Sequence, residues 1–260
     1  ASGMALERDN GTIDYQRMTP MSPTSKILGY LFGFPVREYV LFGITIPFTI
    51  AAVWISKLPL KSVFQLYLVF FTTTWLYHMI GMVSGMLTTK PRRASWMAQI
   101  AVISLYLFMP QLAKLGFTFL GFVTILPTLE GVVLTELVVL QKGIQKVQTL
   151  ASLQRWQELQ FFDWSIHPTI YTLIIQAALL LTCFVVVYRK WHREENHSFS
   201  KLYALGFFAG FQFFLVGSLW PFLLGNKSLV PIIKNFRGMQ NQEYSILIFF
   251  LYFLMAAIST

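Results

Sequence analysis

His78, Glu130 and Glu136 are ionisable residues that fall within or beside long apolar runs, and at membrane depth such groups are functional candidates by default. His78 follows Trp75 and Tyr77 in VFQLYLVFFTTTWLYHMIGMVSGML, and a histidine there is the residue type for a haem or metal ligand. Either cofactor needs a second ligand at matching depth, and His167, His192 and His197 all fall near loops. The expectation is a neutral imidazole hydrogen-bonded to a neighbouring helix, with no cofactor and no metal site. Glu130 and Glu136 could line a hydrophilic path or relay protons, or sit at the membrane interface, and the interface is the expected place. Gln99, Gln176 and Gln212 are single amides inside apolar runs, which predicts interhelical hydrogen bonds of about 0.6–2 kcal/mol. A second group of charges, Glu7, Arg8, Asp14 and Arg17, stands in a polar segment ahead of the first run. The chain has no phosphate-cradling GxxxxGK[ST] loop, HExxH pair, CxxC pair or GxSxG elbow. No catalytic residue is therefore assigned, and a membrane-embedded enzyme is disfavoured because no acid, base and metal-ligand residues gather at one depth.

The elements that must position these groups are membrane spans. Apolar runs cover Tyr39 to Ser56, Val63 to Leu87, Met97 to Leu112, Ile170 to Tyr188, Leu202 to Leu224 and Tyr244 to Ile258. A bilayer core of about 30 Å takes about 20 helical residues to cross, and no backbone amide can face hydrocarbon unpaired. Only 12% of the residues are charged, against roughly 25% in a soluble domain. The fold class is thus all-α, a polytopic integral membrane protein of about six transmembrane helices. The organisation reads as a polar segment over 1–36, three spans over 37–112, an irregular segment over 113–169, and three spans over 170–260. The net charge of +9 sits between the runs, where it meets anionic headgroups, and nothing resembles a nucleic-acid-binding face. Cys183 is the single cysteine and allows no internal disulfide.

Leu115 to Thr135 is apolar enough for a seventh span, but Gly116, Gly121, Pro127, Glu130 and Gly131 interrupt it. Proline removes a backbone donor and a glutamate at membrane depth costs a few kcal/mol, so a re-entrant or interfacial pair of short helices is expected. Orientation bears on the same choice. The compact clusters TTKPRR (88–93) and RKWHR (189–193) follow spans directly, as cytoplasmic ends do. The total of Lys and Arg favours an odd number of spans, whereas the clusters and Glu130 favour an even one. Gly81 with Gly85, and Gly206 with Gly210, are GxxxG pairs that let helix backbones approach closely; packing within the chain is expected of them, a dimer seam less so.

The most specific stretch is GMALERDNGTIDYQRMTPMSPTSKILGYLFG, Gly3 to Gly33. Asn10-Gly11 marks a turn, Thr12 is placed to cap a short helix to about Met18, and Thr19-Pro20 breaks it. Ser22 is placed to cap the next helix, with Pro23 at its first position. The short helix carries Asp14 and Arg17 on one side and Ile13 and Met18 on another, so it could lie at a membrane surface and present a knob to a partner.

At these residues the chain resembles the type-two ABC exporter permeases, whose motif runs roughly E-R-x-x-G-T-x-[DE], then T-P-x-S-P, then a Lys and a Gly. The matching residues are Glu7, Arg8, Gly11, Thr12 and Asp14, then Thr19, Pro20, Ser22 and Pro23, then Lys26 and Gly29. More loosely, 88–95 looks like the family's basic cytoplasmic turn, and 161–176 like its extracytoplasmic approach to the sixth helix. The resemblance implies a permease subunit of an ATP-driven exporter in the bacterial cytoplasmic membrane. It implies that residues 7–23 form a cytoplasmic coupling helix seated in a cleft of a separate ATP-binding subunit, and that a second membrane subunit completes the pore. The family's two helices ahead of the motif are missing here, as at an internal point of a longer protein or in a separate gene piece. Two spans follow the expected sixth helix. The alternative is a structural or accessory subunit that retains the permease fold without transport.

Overall fold

The computed structural model describes residues 1–88, 90–114, 117–134, 136–137, 159–162, 164–192, 197 and 200–223. Three short helices lead: α1 (Ser2–Asp9), α2 (Thr12–Arg17) and α3 (Pro23–Gly33). Long helices follow as α4 (Val36–Ser56), α5 (Leu60–Leu87) and α6 (Pro91–Leu107), the last continued by α7 (Met109–Lys114). Then come α8 (Thr118–Gly121), α9 (Leu126–Thr128), a π-helical turn (Leu129–Leu134), a two-stranded hairpin of β1 (Leu159–Phe161) and β2 (Trp164–Ile166), and finally α10 (Pro168–His192) and α11 (Lys201–Leu223). Five helical stretches are long and apolar enough to cross a bilayer: α4, α5, Pro91–Ala113, α10 and Lys201–Trp220. The protein is an all-α polytopic membrane protein, and the hairpin is the sole β element among the described residues. The expected span Tyr244 to Ile258 lies outside them. Most observed helices begin before the apolar runs do, because polar first turns such as Pro91-Arg92-Arg93 are helical while lying beyond hydrocarbon.

Side-chain bonds fix the directions of the spans. The Tyr67 hydroxyl donates to Thr49 Oγ1 at 3.0 Å and the Tyr39 and His78 rings meet at 6.4 Å, so α4 and α5 are antiparallel. Tyr77 and Tyr106 hydroxyls meet at 2.6 Å, which sets α6 antiparallel to α5. Gln176 binds Thr72 at 2.5 Å and Thr73 at 2.8 Å, while Met86 and Trp191 share one buried cluster further along, so α10 runs parallel to α5. Tyr203 with Thr182, and Ser218 with Tyr171, set α11 antiparallel to α10. All four pairings agree on one near face, holding α1–α3, the ends of α5 and α10, and the start of α6.

That geometry brackets the irregular segment. α6 and α7 run to the far face, and α10 starts from that same face. Residues 117–134 fold into pieces of six residues or fewer, with Phe119, Phe122, Val123 and Thr128 buried. The described residues 117–134 of the Leu115 to Thr135 run form no single spanning helix, as Pro127 and Gly121 imply. The Gln176 amide also donates to the Val123 carbonyl at 3.1 Å, tying this segment to α5 and α10 through one buried side chain. At the far face Phe161 lies over Gly217, and the Phe162 amide donates to the Gly217 carbonyl at 2.9 Å.

Both basic clusters therefore adjoin the leading segment. Cysteines at Thr12, Thr88 and His192 should label from one side of a sealed vesicle, and cysteines at Lys57 and Trp164 from the other. Labelling of positions 88 and 192 from opposite sides would break the parallel pairing of α5 with α10.

Candidate coupling site at the near face

Local chemistry shapes the leading segment first. Gly11 turns the chain with φ +72°, a left-handed conformation that glycine adopts without strain. Thr12 is the first residue of α2, and the residue before it, Gly11, offers no side chain; the expected capping role of Thr12 is corrected accordingly. The Thr19 hydroxyl donates to the Gln16 carbonyl at 2.7 Å as the helix ends. Ser22 caps α3 as expected, its Oγ accepting from the Ser25 amide at 3.2 Å, with Pro23 in the first turn.

Lys26 is only 7% exposed, and its ammonium donates to the Gln16 carbonyl at 2.5 Å and the Thr19 carbonyl at 3.3 Å. The Gln16 carbonyl also accepts from the Thr19 amide at 3.1 Å, so the lysine adds a charged donor just where α2 ends and meets the negative end of its dipole. Tyr30 joins all three short helices: it donates to the Glu7 carboxylate, accepts from Gln16 Nε2 at 2.7 Å, and sits edge-on to Trp191 at 5.2 Å. Burial, then the bond to Glu7, holds the Tyr30 hydroxyl above its ordinary pKa, so it remains a donor at neutral pH. A groove of about 450 Å³ runs between these elements, lined by Glu7, Gln16, Lys26, Tyr30 and Phe34 among others.

Two arginines fasten this module to the spans. Arg8 Nη1 donates to the Met86 carbonyl at 2.5 Å, in the last turn of α5. Arg17 Nε donates to the Trp191 carbonyl and Nη2 to the Lys190 carbonyl, both at 2.9 Å, while Nη1 pairs with the Asp14 carboxylate. A planar guanidinium suits this fork of acceptors, and the last carbonyls of a helix are its negative end. Gly81 and Gly85 complete the joint, since a Cβ on Gly85 would lie 2.7 Å from Met4 Cβ in α1. Their spacing serves packing within the chain. Around Gly206 and Gly210 the described residues place nothing within 4 Å.

Ile13 departs from expectation. It is 1% exposed and packs with Met4, Ile27, Met82, Val187 and Trp191, so it is a core residue of the module and offers no contact to a partner. The period of the short helix distinguishes its faces but not which of them turns inward. Met18 is 81% exposed, Tyr15 70% and Met21 59%, and these outward apolar side chains make up the knob. Asp14 and Pro20 are exposed, Glu7, Arg8, Gly11, Thr12, Thr19 and Pro23 partly so, and Ser22 faces outward. Tyr15, Met21, Tyr30 and Trp191 were not singled out by the motif.

The intramembrane candidates do not come together. His78 faces Tyr39 of α4. Leu129 and Val133 on either side of Glu130 line a far-face groove with Val63 and Tyr67. Tyr67 precedes His78 by eleven helical residues, about 16 Å along α5. Glu130 is half-buried in the π-helical turn, and Glu136 is half-buried just beyond it. Among the described residues no three His, Cys, Asp or Glu side chains gather as a metal site would require. No protein-family model, curated protein or solved structure matches the chain.

Proposed function

We propose that this chain is the membrane subunit of an ATP-driven exporter in the bacterial cytoplasmic membrane, worked by an ATP-binding subunit that seats on residues 7–23 and completed by a second membrane subunit. The observation that carries this reading is the construction of the near face. An exposed knob of Tyr15, Met18 and Met21 stands on a module bonded through Arg8 and Arg17 to the last turns of α5 and α10. A push on the knob is thereby delivered to two parallel spans. A surface helix with no mechanical task needs no such fastening. The motif from Glu7 to Pro23 supports the same reading, in which hydrolysis belongs to the ATP-binding subunit, this sequence holding no phosphate-cradling loop.

The knob and the fastening separate in experiment. Tyr15→Asp with Met18→Asp should lower capture of the ATP-binding subunit by more than tenfold, as loss of central apolar contacts does in other interfaces. Arg17→Ala should leave capture intact yet abolish export driven by hydrolysis, because two charged hydrogen bonds of about 1.5–3 kcal/mol each are lost from the joint. Normal capture and normal export by the Tyr15/Met18 variant would sink the proposal.

A further inference from the structure

The far end of the α4–α5 hairpin has chemistry that the coupling site does not use. The two helices meet through Phe42, stacked on Phe70 at 5.5 Å and edge-on to Phe71 at 5.4 Å, and then through the Thr49–Tyr67 hydrogen bond. Toward the far face a groove of about 660 Å³ lies between them, walled by Ile46, Ile50, Trp54, Val63, Phe64 and Leu68. Its size falls within the roughly 300–1,000 Å³ typical of small-molecule sites. Trp54 is 84% exposed and Phe64 also faces outward, so the groove opens toward lipid.

Lys57 lines the same groove where the chain turns, held in the left-handed region at φ 55°, and Lys61 follows in the first turn of α5. From Trp54 to Phe64 the sequence holds these two lysines and no carboxylate. His167, before α10, lies within reach of the Lys61 charge; burial, then the lysine charge, keeps its pKa below the usual value, so at neutral pH it is uncharged and leaves the two lysines as the cations here. An apolar slot at membrane depth, a tryptophan at its rim and two cations at the headgroup level match one class of molecule. We propose that the groove holds an acyl chain of an anionic phospholipid whose phosphate is met by Lys57 and Lys61. The proposal is independent of the coupling reading.

The test uses the full chain in vesicles of phosphatidylcholine containing a small fraction of phosphatidylglycerol with brominated chains, or brominated phosphatidylcholine in its place. Bromine quenches nearby indoles, and the share due to Trp54 is the difference between the unaltered chain and Trp54→Phe. Each lysine near the surface favours an anionic lipid about fivefold, so phosphatidylglycerol should quench Trp54 at about a twenty-five-fold lower fraction than phosphatidylcholine. Lys57→Asn with Lys61→Gln should erase that preference while leaving the helical content unchanged, asparagine being suited to the left-handed turn. Equal quenching by the two lipids, or a preference that survives the double substitution, would overturn the proposal. So would a Trp54 that neither lipid reaches, since another segment of the chain or a second copy would then cover the groove.

Discussion

Ile13→Asp should leave the five spans inserted and the near face unassembled. The residue is buried among methionines, Val187 and Trp191, and a carboxylate there has no partner, a burial that typically costs several kcal/mol unless the site opens to water. The module that α1, α2 and α3 make together should detach from α5 and α10, taking with it the bonds of Arg8 and Arg17. Limited proteolysis between residues 10 and 22 would report this as cleavage at least tenfold faster, while Met18→Asp, on the exposed side of the same helix, should be cut at the original rate. Equal protection of the two variants would place Ile13 at the surface.

Gly85→Leu should be nearly as severe by a different route. A Cβ at this position would lie 2.7 Å from Met4 Cβ and 2.9 Å from the Ala1 carbonyl, and neither is the yielding tip of a side chain. Helix α1 must move off α5, emptying the site that Met4 fills; overpacking of this kind typically costs about 1–3 kcal/mol before the lost burial is added. Gly206→Leu is the control, since the described residues leave room there. Thermal unfolding in detergent should shift clearly for the first variant and little for the second. The reverse order would mean that the two GxxxG pairs have exchanged roles.

Five of the six expected spans were legible because hydropathy reports the solvent around a helix, and Val63 to Leu87 needs nothing else to be read. The caps of α3 were legible for a related reason: Ser22 and Pro23 act on atoms within four residues. Parity was not. The total of Lys and Arg and the basic clusters gave opposed counts, and the choice rests on the Gln176 bonds to Thr72 and Thr73, which join residues about a hundred positions apart. The inward turn of Ile13 was hidden for the same reason, since the short helix shows two apolar residues and only the distant Val187 and Trp191 decide which is covered. The hairpin at Leu159–Phe161 and Trp164–Ile166 is too short for any alternation to register.

The Arg17 joint has a consequence for how such a protein can change over time. Its acceptors are the carbonyls of Lys190 and Trp191, which every amino acid supplies equally. The bonds that Arg17 makes to these carbonyls do not depend on which side chain stands at 190, and no substitution there can compensate for loss of the arginine. A connection of this kind between two distant parts of the chain leaves no pair of side chains that must vary together. Searches that seek mechanical linkages through paired variation will pass over this one, and backbone acceptors at helix ends are where similar linkages are to be sought.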